Sequence, residues 1–243
     1  MNSTKLRIMQ DYISLKNDKP ENIFVEIDQD NIFNCYALII GPKNTPYFGG
    51  FYFFEIIFPT NYPYASPKVK MLTTNKEVRF NPNLYECGKV CLSILGTWQG
   101  PGWSEVMNLK TVLLSIQSLL GEFPIVNEPG YEETKPNDDL SIDYNHYITY
   151  YNYKISILEI LDQLNKENKY ISFFKNNILE KIKENYKNLH ENLLSYQITI
   201  GIKEINPKIN KQIYFIRKTH NLDFLELVNN FNKIIEKNEL ILT

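Results

Sequence analysis

Residues 79–104 read RFNPNLYECGKVCLSILGTWQGPGWS. An Asn-Pro-Asn turn at residues 81–83 is followed, eight residues after Asn83, by Cys91, and Cys91 by the apolar Leu92, Ile94 and Leu95. The thiol therefore falls where an irregular segment meets the core. A cysteine in apolar company is ordinarily an inert small hydrophobe, so its setting alone assigns it no chemistry. Ahead of this stretch, residues 41–69, GPKNTPYFGGFYFFEIIFPTNYPYASPKV, combine Gly/Pro turn signals with an aromatic strand. No single residue is unusual, but the joint spacing is hard to meet by accident.

Working outward, Ser3 or Thr4 can cap a first helix running to about Ser14, with Leu6, Met9 or Ile8, and Tyr12 or Ile13 at helical spacing. Four runs rich in β-branched and aromatic residues follow, Phe24–Ile27, Ile32–Ile40, Phe51–Phe58 and Lys68–Leu72. Turn chemistry at Asp28–Asn31, Gly41–Gly50 and Pro59–Pro67 separates them. Short connections without a helix predict an antiparallel meander. Leu109–Leu120 reads as a buried helix, apolar at Val112, Leu113, Leu114, Ile116, Leu119 and Leu120. The fold class is therefore α+β.

Past Pro136 the composition shifts to Asn, Lys, Ile and Tyr, which divides the chain into a core of residues 1–136 and a helical extension of residues 137–243. Three helical stripes are expected there: Tyr147, Tyr151, Ile155 and Leu158; Phe174, Ile178, Ile182, Leu189 and Leu193; and Phe224, Val228, Phe231 and Ile235. Gly201 and Pro207 punctuate the chain between the second stripe and the third. The stripes are too regular for a loose tail, so the extension is expected to pack on the core.

A chain of 243 residues with 43% apolar content can bury a sizeable core. The formal net charge is −2, and residues 137–243 carry 14 Lys/Arg against 14 Asp/Glu. Neither half has the basic excess that phosphate neutralisation requires, so no nucleic-acid partner is expected. Cys35, Cys87 and Cys91 are too few and too uneven for a disulfide framework. Cys-x3-Cys without a second Cys/His pair makes a poor zinc site, and no metal is expected. Residues 1–10 lack an apolar signal-peptide region, and Phe51–Phe58 is far too short to span a bilayer. A reducing cytosol or nucleus, and no membrane, is the expectation.

On the residue 41–69 and 79–104 motifs the chain resembles the ubiquitin-conjugating enzymes, in particular the large members that carry Asn-Pro-Asn in place of His-Pro-Asn and a long Thr-Trp…Gly-Pro…Trp-Ser loop. The resemblance covers roughly residues 3–135 and continues more weakly into Lys169–Tyr186. It implies the ubiquitin-conjugating fold, with Cys91 accepting ubiquitin or a ubiquitin-like modifier as a thioester from an activating enzyme. The modifier then passes to a lysine of a protein substrate or to a ligase. No cofactor is implied, since ATP is consumed by the activating enzyme. A non-catalytic binding module on the same fold is the alternative, although such variants typically lack the cysteine.

The chemistry is consistent with the residues available. A cysteine hydrolase needs a histidine to activate its thiol, and His146, His190 and His220 all lie in the extension. Exchange between thioesters is nearly level in energy and tolerates a cysteine without that base. The resemblance gives Asn83 the role of oxyanion donor or of loop support; turn chemistry alone would also explain it. Asn81 stands where the family has His, so the loop hydrogen bond of that imidazole must come from an amide or be missing. Glu128 matches an acidic position that orients the incoming lysine, with a solvated loop acid as the bland alternative. Tyr85 either lines the same channel or is a core aromatic, and Cys87 is either a resolving or acyl-accepting thiol or, the preferred reading, a bystander. The family's face for activating enzyme and ligases maps onto Lys5, Pro63, Tyr64, Trp103, Ser104 and Glu105, continuing to Val106. Ser104-Glu105-Val106 replaces the usual Ser-Pro-Ala. The Tyr62–Pro63 bond is expected to be cis, as is common at this family's YP-x-x-P segment.

Overall fold

The computed structural model describes residues 3–205, 216 and 218–238. Pro207 lies outside them. The first helix, α1, runs Ser3–Asn17 and buries Thr4, Ile8, Asp11 and Leu15, one helical stripe. Leu6 is exposed, and of the alternatives Tyr12 and Ile13 it is Tyr12 that packs against the core. Polar partners decide the face. Thr4 Oγ1 donates to the Thr60 carbonyl at 2.9 Å, and Asp11 accepts from Arg7 Nε at 2.8 Å and from the Leu109 N–H at 3.2 Å.

Strands β1 (Ile23–Ile27), β2 (Asn34–Ile40), β3 (Phe51–Ile57) and β4 (Lys68–Met71) form an antiparallel sheet in the order β1-β2-β3-β4, the meander that the turn signals predict. The β2–β3 register sets Leu38 opposite Phe53 and Ile39 opposite Tyr52. Neighbouring residues on a strand face opposite ways, so Phe53 and Tyr52 serve different faces. Phe53 packs against Tyr170 and Phe174, with ring centroids 5.0 and 6.0 Å away, and Tyr36 packs against Phe173 at 5.7 Å. Tyr52 meets Phe80 and Tyr47 edge-on at 5.4 and 5.8 Å. Both faces of the sheet are covered.

Helix α2, Leu109–Ser118, is capped by Asn108, whose side chain accepts from the Thr111 N–H, and buries Leu109, Val112, Leu113 and Ile116. Leu114, expected to be buried, is exposed. It shares its side of the helix with Lys110, Gln117 and Ser118, none of them buried.

The extension comprises α3 (Asp139–Tyr151), a π-helical stretch (Asn152–Glu159), α4 (Ile160–Gln163), α5 (Lys169–Thr199), strands β5 (Ile202–Ile205) and β6 (His220–Asp223), and α6 (Phe224–Lys237). Every residue of the three expected stripes is buried. The antiparallel β5–β6 pair has no counterpart in the sequence expectations; it returns the chain to Asp223, which caps α6 by accepting from the Glu226 N–H at 2.9 Å. Buried residues from Ile8 to Ile235 form one hydrophobic cluster spanning the sheet and the extension.

The contact between them is close. The Asn152 amide accepts from Tyr52 Oη at 2.7 Å and donates to the Phe48 carbonyl at 2.9 Å. A Cβ at Gly50 would lie 1.9 Å from Asn152 Oδ1, so only glycine admits this approach.

Candidate active site

Arg79–Thr97 folds through side-chain-to-backbone hydrogen bonds, as Asn-Pro-Asn chemistry dictates. Asn81 Oδ1 accepts from the Asn83 N–H at 2.8 Å, and the Asn81 amide donates to the Leu119 carbonyl at 2.8 Å. An amide therefore does occupy the place of the motif's imidazole, and it ties the loop to the end of α2. Tyr47, fully buried, donates its hydroxyl to the Phe80 carbonyl at 2.6 Å and lies 3.3 Å from Asn81 Nδ2. Tyr85 and Lys89 close a short turn over Glu86, Cys87 and Gly88 through the Tyr85 N–H to the Lys89 carbonyl at 3.0 Å. Gly88 has φ +88°, and a Cβ there would sit 2.5 Å from the Met71 carbonyl oxygen. Cys87, at this turn, is exposed.

Cys91 and Asn83 are joined twice. The Cys91 N–H donates to the Asn83 carbonyl at 2.9 Å, and the Asn83 side-chain amide donates to the Cys91 carbonyl at 2.8 Å. Beyond the cysteine, Ser93–Leu95 make one 3₁₀ turn ending on Gly96 at φ +66°. Thr97 Oγ1 returns to the Val90 carbonyl at 2.8 Å and accepts from the Leu92 N–H at 3.0 Å. The cysteine thus lies between two loops whose shape is held by side-chain groups.

The Cys91 residue is only 1% exposed, and burial pushes its thiol above the ordinary range. Lys89, Arg79 and a hydrogen bond from Tyr85 work against that rise, while the Cys87 sulfur adds to it. The Tyr85 ring is half-buried and packs against Arg79, whose guanidinium carbon lies 3.9 Å from the ring centroid. Glu128 is not a solvated loop acid. It is 3% exposed, at the end of a short 3₁₀ turn (Pro124–Asn127), and its Oε2 lies 3.6 Å from Arg79 Nη2. Cys35, in β2, is fully buried and burial raises its thiol strongly, consistent with a packing role.

The residues expected to meet partners lie around α1 and the loop before α2. The Tyr62–Pro63 bond is cis. Trp103 Nε1 donates to the Pro63 carbonyl at 2.6 Å and its ring lies 5.9 Å from that of Tyr62. Tyr64 is 77% exposed, and Ser104, Glu105 and Val106 are exposed too. Lys5, on α1, has its Nζ 5.9 Å from the centroid of the Phe33 ring. Two arginines that no sequence motif singles out do structural work here. Arg7 donates to the Glu105 and Met107 carbonyls at 3.2 and 2.7 Å, fixing the loop to α1. Arg79 lies beneath the Asn-Pro-Asn turn. An Arg7–Asp11 pair at i,i+4 was legible as helix spacing; the partners of Arg79 were not, being scattered along the chain.

Among the described residues, no group of His, Cys, Asp and Glu is placed to hold a metal ion, and no helix is long and apolar enough to cross a membrane. The chain is 46% identical over 162 residues to ubiquitin-conjugating enzyme E2 Z of Xenopus tropicalis, covering 66% of this chain and 51% of that protein. It is 45% identical over 158 residues to its Homo sapiens counterpart, covering 65% and 44%. A probable ubiquitin-conjugating enzyme, protein 17 of Caenorhabditis elegans, is 42% identical over 167 residues, 64% of this chain and 23% of that one. The chain thus spans about half or less of the length of these curated relatives. The sequence model of the family described as ubiquitin-conjugating enzyme matches residues 7–156, well past Pro136 and into the π-helical stretch. With a cysteine fastened to an Asn-Pro-Asn turn beside a four-stranded meander, and that match across more than half its length, the chain belongs to the ubiquitin-conjugating enzyme family.

Proposed function

We propose that this chain accepts ubiquitin or a ubiquitin-like modifier as a thioester on Cys91 from an activating enzyme and delivers it to a substrate lysine, directly or with a ligase. The Cys91 thiolate attacks the carbonyl of the incoming thioester and the activating enzyme's thiolate leaves. A lysine amine then attacks the new thioester, the tetrahedral intermediate collapses, Cys91 departs as thiolate and the nitrogen loses a proton. The observation that carries the reading is the double hydrogen bond between Asn83 and Cys91. It fastens a neutral amide donor to the backbone of the reacting cysteine, and a primary amide has two N–H groups. One supports the Cys91 carbonyl; the second serves the oxyanion in this proposal. Glu128, with its carboxylate buried behind Arg79, is proposed to act on the acceptor lysine only indirectly, through Arg79.

Cys91 together with Asn83 favours this reading over a binding module, which needs neither. The site calls on no cofactor, and its unpaired thiol chemistry suits a reducing cytosol or nucleus. Tyr64, Trp103, Ser104, Glu105, Pro63 and Lys5 are proposed to meet the activating enzyme or a ligase. Incubation with activating enzyme, ATP and a panel of modifiers tests the assignment. A reducible adduct is expected on the wild type, a reductant-resistant oxyester on Cys91→Ser and nothing on Cys91→Ala. A reducible adduct on Cys91→Ala would refute it.

A further inference from the structure

Arg79 is 9% exposed, and arginine is almost never buried without a partner. Its Nε and Nη2 both donate to the Pro82 carbonyl, Nε at 3.1 Å. That carbonyl belongs to the same peptide unit as the Asn83 N–H, which donates to Asn81 Oδ1 at 2.8 Å. A peptide unit is planar, so holding its oxygen from one side and its N–H from the other fixes the plane from which the Asn83 side chain springs. The guanidinium also lies 3.9 Å from the centroid of the Tyr85 ring, within cation–π range, and Tyr85 is among the groups that counter the rise of the Cys91 thiol. Behind it, the Glu128 carboxylate lies 3.6 Å away, beyond hydrogen-bond length but close enough to offset the burial of the cation.

We propose that Arg79, backed by Glu128, is a positioning residue for transfer: it fixes the Pro82–Asn83 peptide and the Tyr85 ring together, and through them the amide donor and the Cys91 thiol. The inference rests on Cys91 being the nucleophile. A neutral side chain could cap the Pro82 carbonyl without the cost of burying a charge. Only a planar cation grips the carbonyl with two donors, lies flat on the ring and places positive charge near the sulfur. The titratable groups that act on the thiol are Lys89, Arg79, Tyr85 and Cys87. With Lys89 at an exposed turn, the buried Arg79 is the less screened of the two cations.

The test separates charge from geometry, in a Cys87→Ala background so that Cys91 alone reports. Iodoacetamide alkylation of Cys91 is followed against pH, and the thioester-charged protein is discharged to free lysine. Arg79→Met should slow alkylation at neutral pH roughly three- to tenfold and move the profile to higher pH. Arg79→Lys should restore most of that profile but leave discharge at least roughly tenfold slow, since an ammonium lacks the fork and the flat face. An Arg79→Met profile superimposed on the parent, in a protein with unchanged thermal melting, would overturn the proposal. Should Arg79→Met not fold, Arg79→Lys decides alone, and normal discharge overturns it. Alkylation needs no modifier, so a parent protein that cannot be charged by any activating enzyme refutes the proposed function separately.

Discussion

The Asn83 side-chain amide donates to the Cys91 carbonyl at 2.8 Å while the Cys91 N–H donates to the Asn83 carbonyl at 2.9 Å, so the two residues form a closed ring of hydrogen bonds across the site. A side chain committed to the backbone of the nucleophile supports the loop whether or not it also meets the oxyanion. Both functions are separable by experiment.

Asn83→Ala removes the donor and leaves the Cys91 carbonyl short of one partner. A stability loss of about 1 kcal/mol is expected from that hydrogen bond. Charging should remain near normal, whereas discharge to lysine should fall by ~10²-fold, as for other oxyanion donors. Melting temperature, charging and single-turnover discharge check this. Equal losses in charging and discharge would make Asn83 a loop residue only.

The Cys91 thiol lies above its ordinary range because burial outweighs Lys89, Arg79 and Tyr85. The reactive species is the thiolate, and a raised value means its fraction is small at neutral pH and grows as pH rises. Alkylation should therefore climb about tenfold per pH unit from pH ~7 to ~9 without levelling. Tyr85→Phe, which removes one of the influences opposing that rise, should slow it further. A plateau below pH ~8 would contradict the burial argument.

Tyr64 projects from the loop that carries the cis bond, while Trp103 holds the neighbouring Pro63 carbonyl. Aromatic anchors of this kind account for about 2 kcal/mol or more in many interfaces. Tyr64→Ala should weaken charging by the activating enzyme roughly 30-fold in apparent affinity while leaving Cys91 alkylation unchanged. Unaltered charging kinetics at limiting activating enzyme would exclude Tyr64 from that interface.

Ile178 and Ile182 are buried in the cluster that also contains Phe53 and Ile39. Each contributes ~1.5–3 kcal/mol of burial that an ionised aspartate reverses. Replacing both with Asp should destabilise sheet and extension together, in one cooperative transition, because they share a core. Hydrogen exchange should show α5 and β3 losing protection in parallel. Two separate transitions would mean that the extension folds on its own.

His146 is held down to about 4 by burial and the nearby Lys203, with Asp143 opposing. Lys203 Nζ lies 3.1 Å from His146 Nδ1 and pairs with Asp143 at 2.6 Å. A depressed histidine binds fewer protons folded than unfolded, so its contribution is intact above pH ~6.5 and is lost as pH falls from there to about 4. His146→Gln should flatten the acid side of the stability curve in denaturant titrations at several pH values. An unchanged slope between those limits would dismiss the effect.

Periodicity and turn chemistry determined a large part of this protein by themselves. Runs of β-branched and aromatic residues and Gly/Pro breaks specified the four-stranded meander, and 3.6-residue stripes specified α5 and α6, because both signals depend on neighbours a few residues away. Cys91 and Asn83 were marked by the family resemblance that their motif carries, since turn chemistry alone assigned neither a role. Tertiary structure alone decided which apolar side of α1 turns inward, since Thr4 and Asp11 follow distant partners at Thr60 and Leu109. It alone paired β5 with β6 across an intervening segment, and it alone set Glu128 against Arg79 and both beneath the Asn83 loop. Those arrangements satisfy buried polar groups, and a buried charge takes whichever partner folding brings within a few ångströms, which local spacing does not encode.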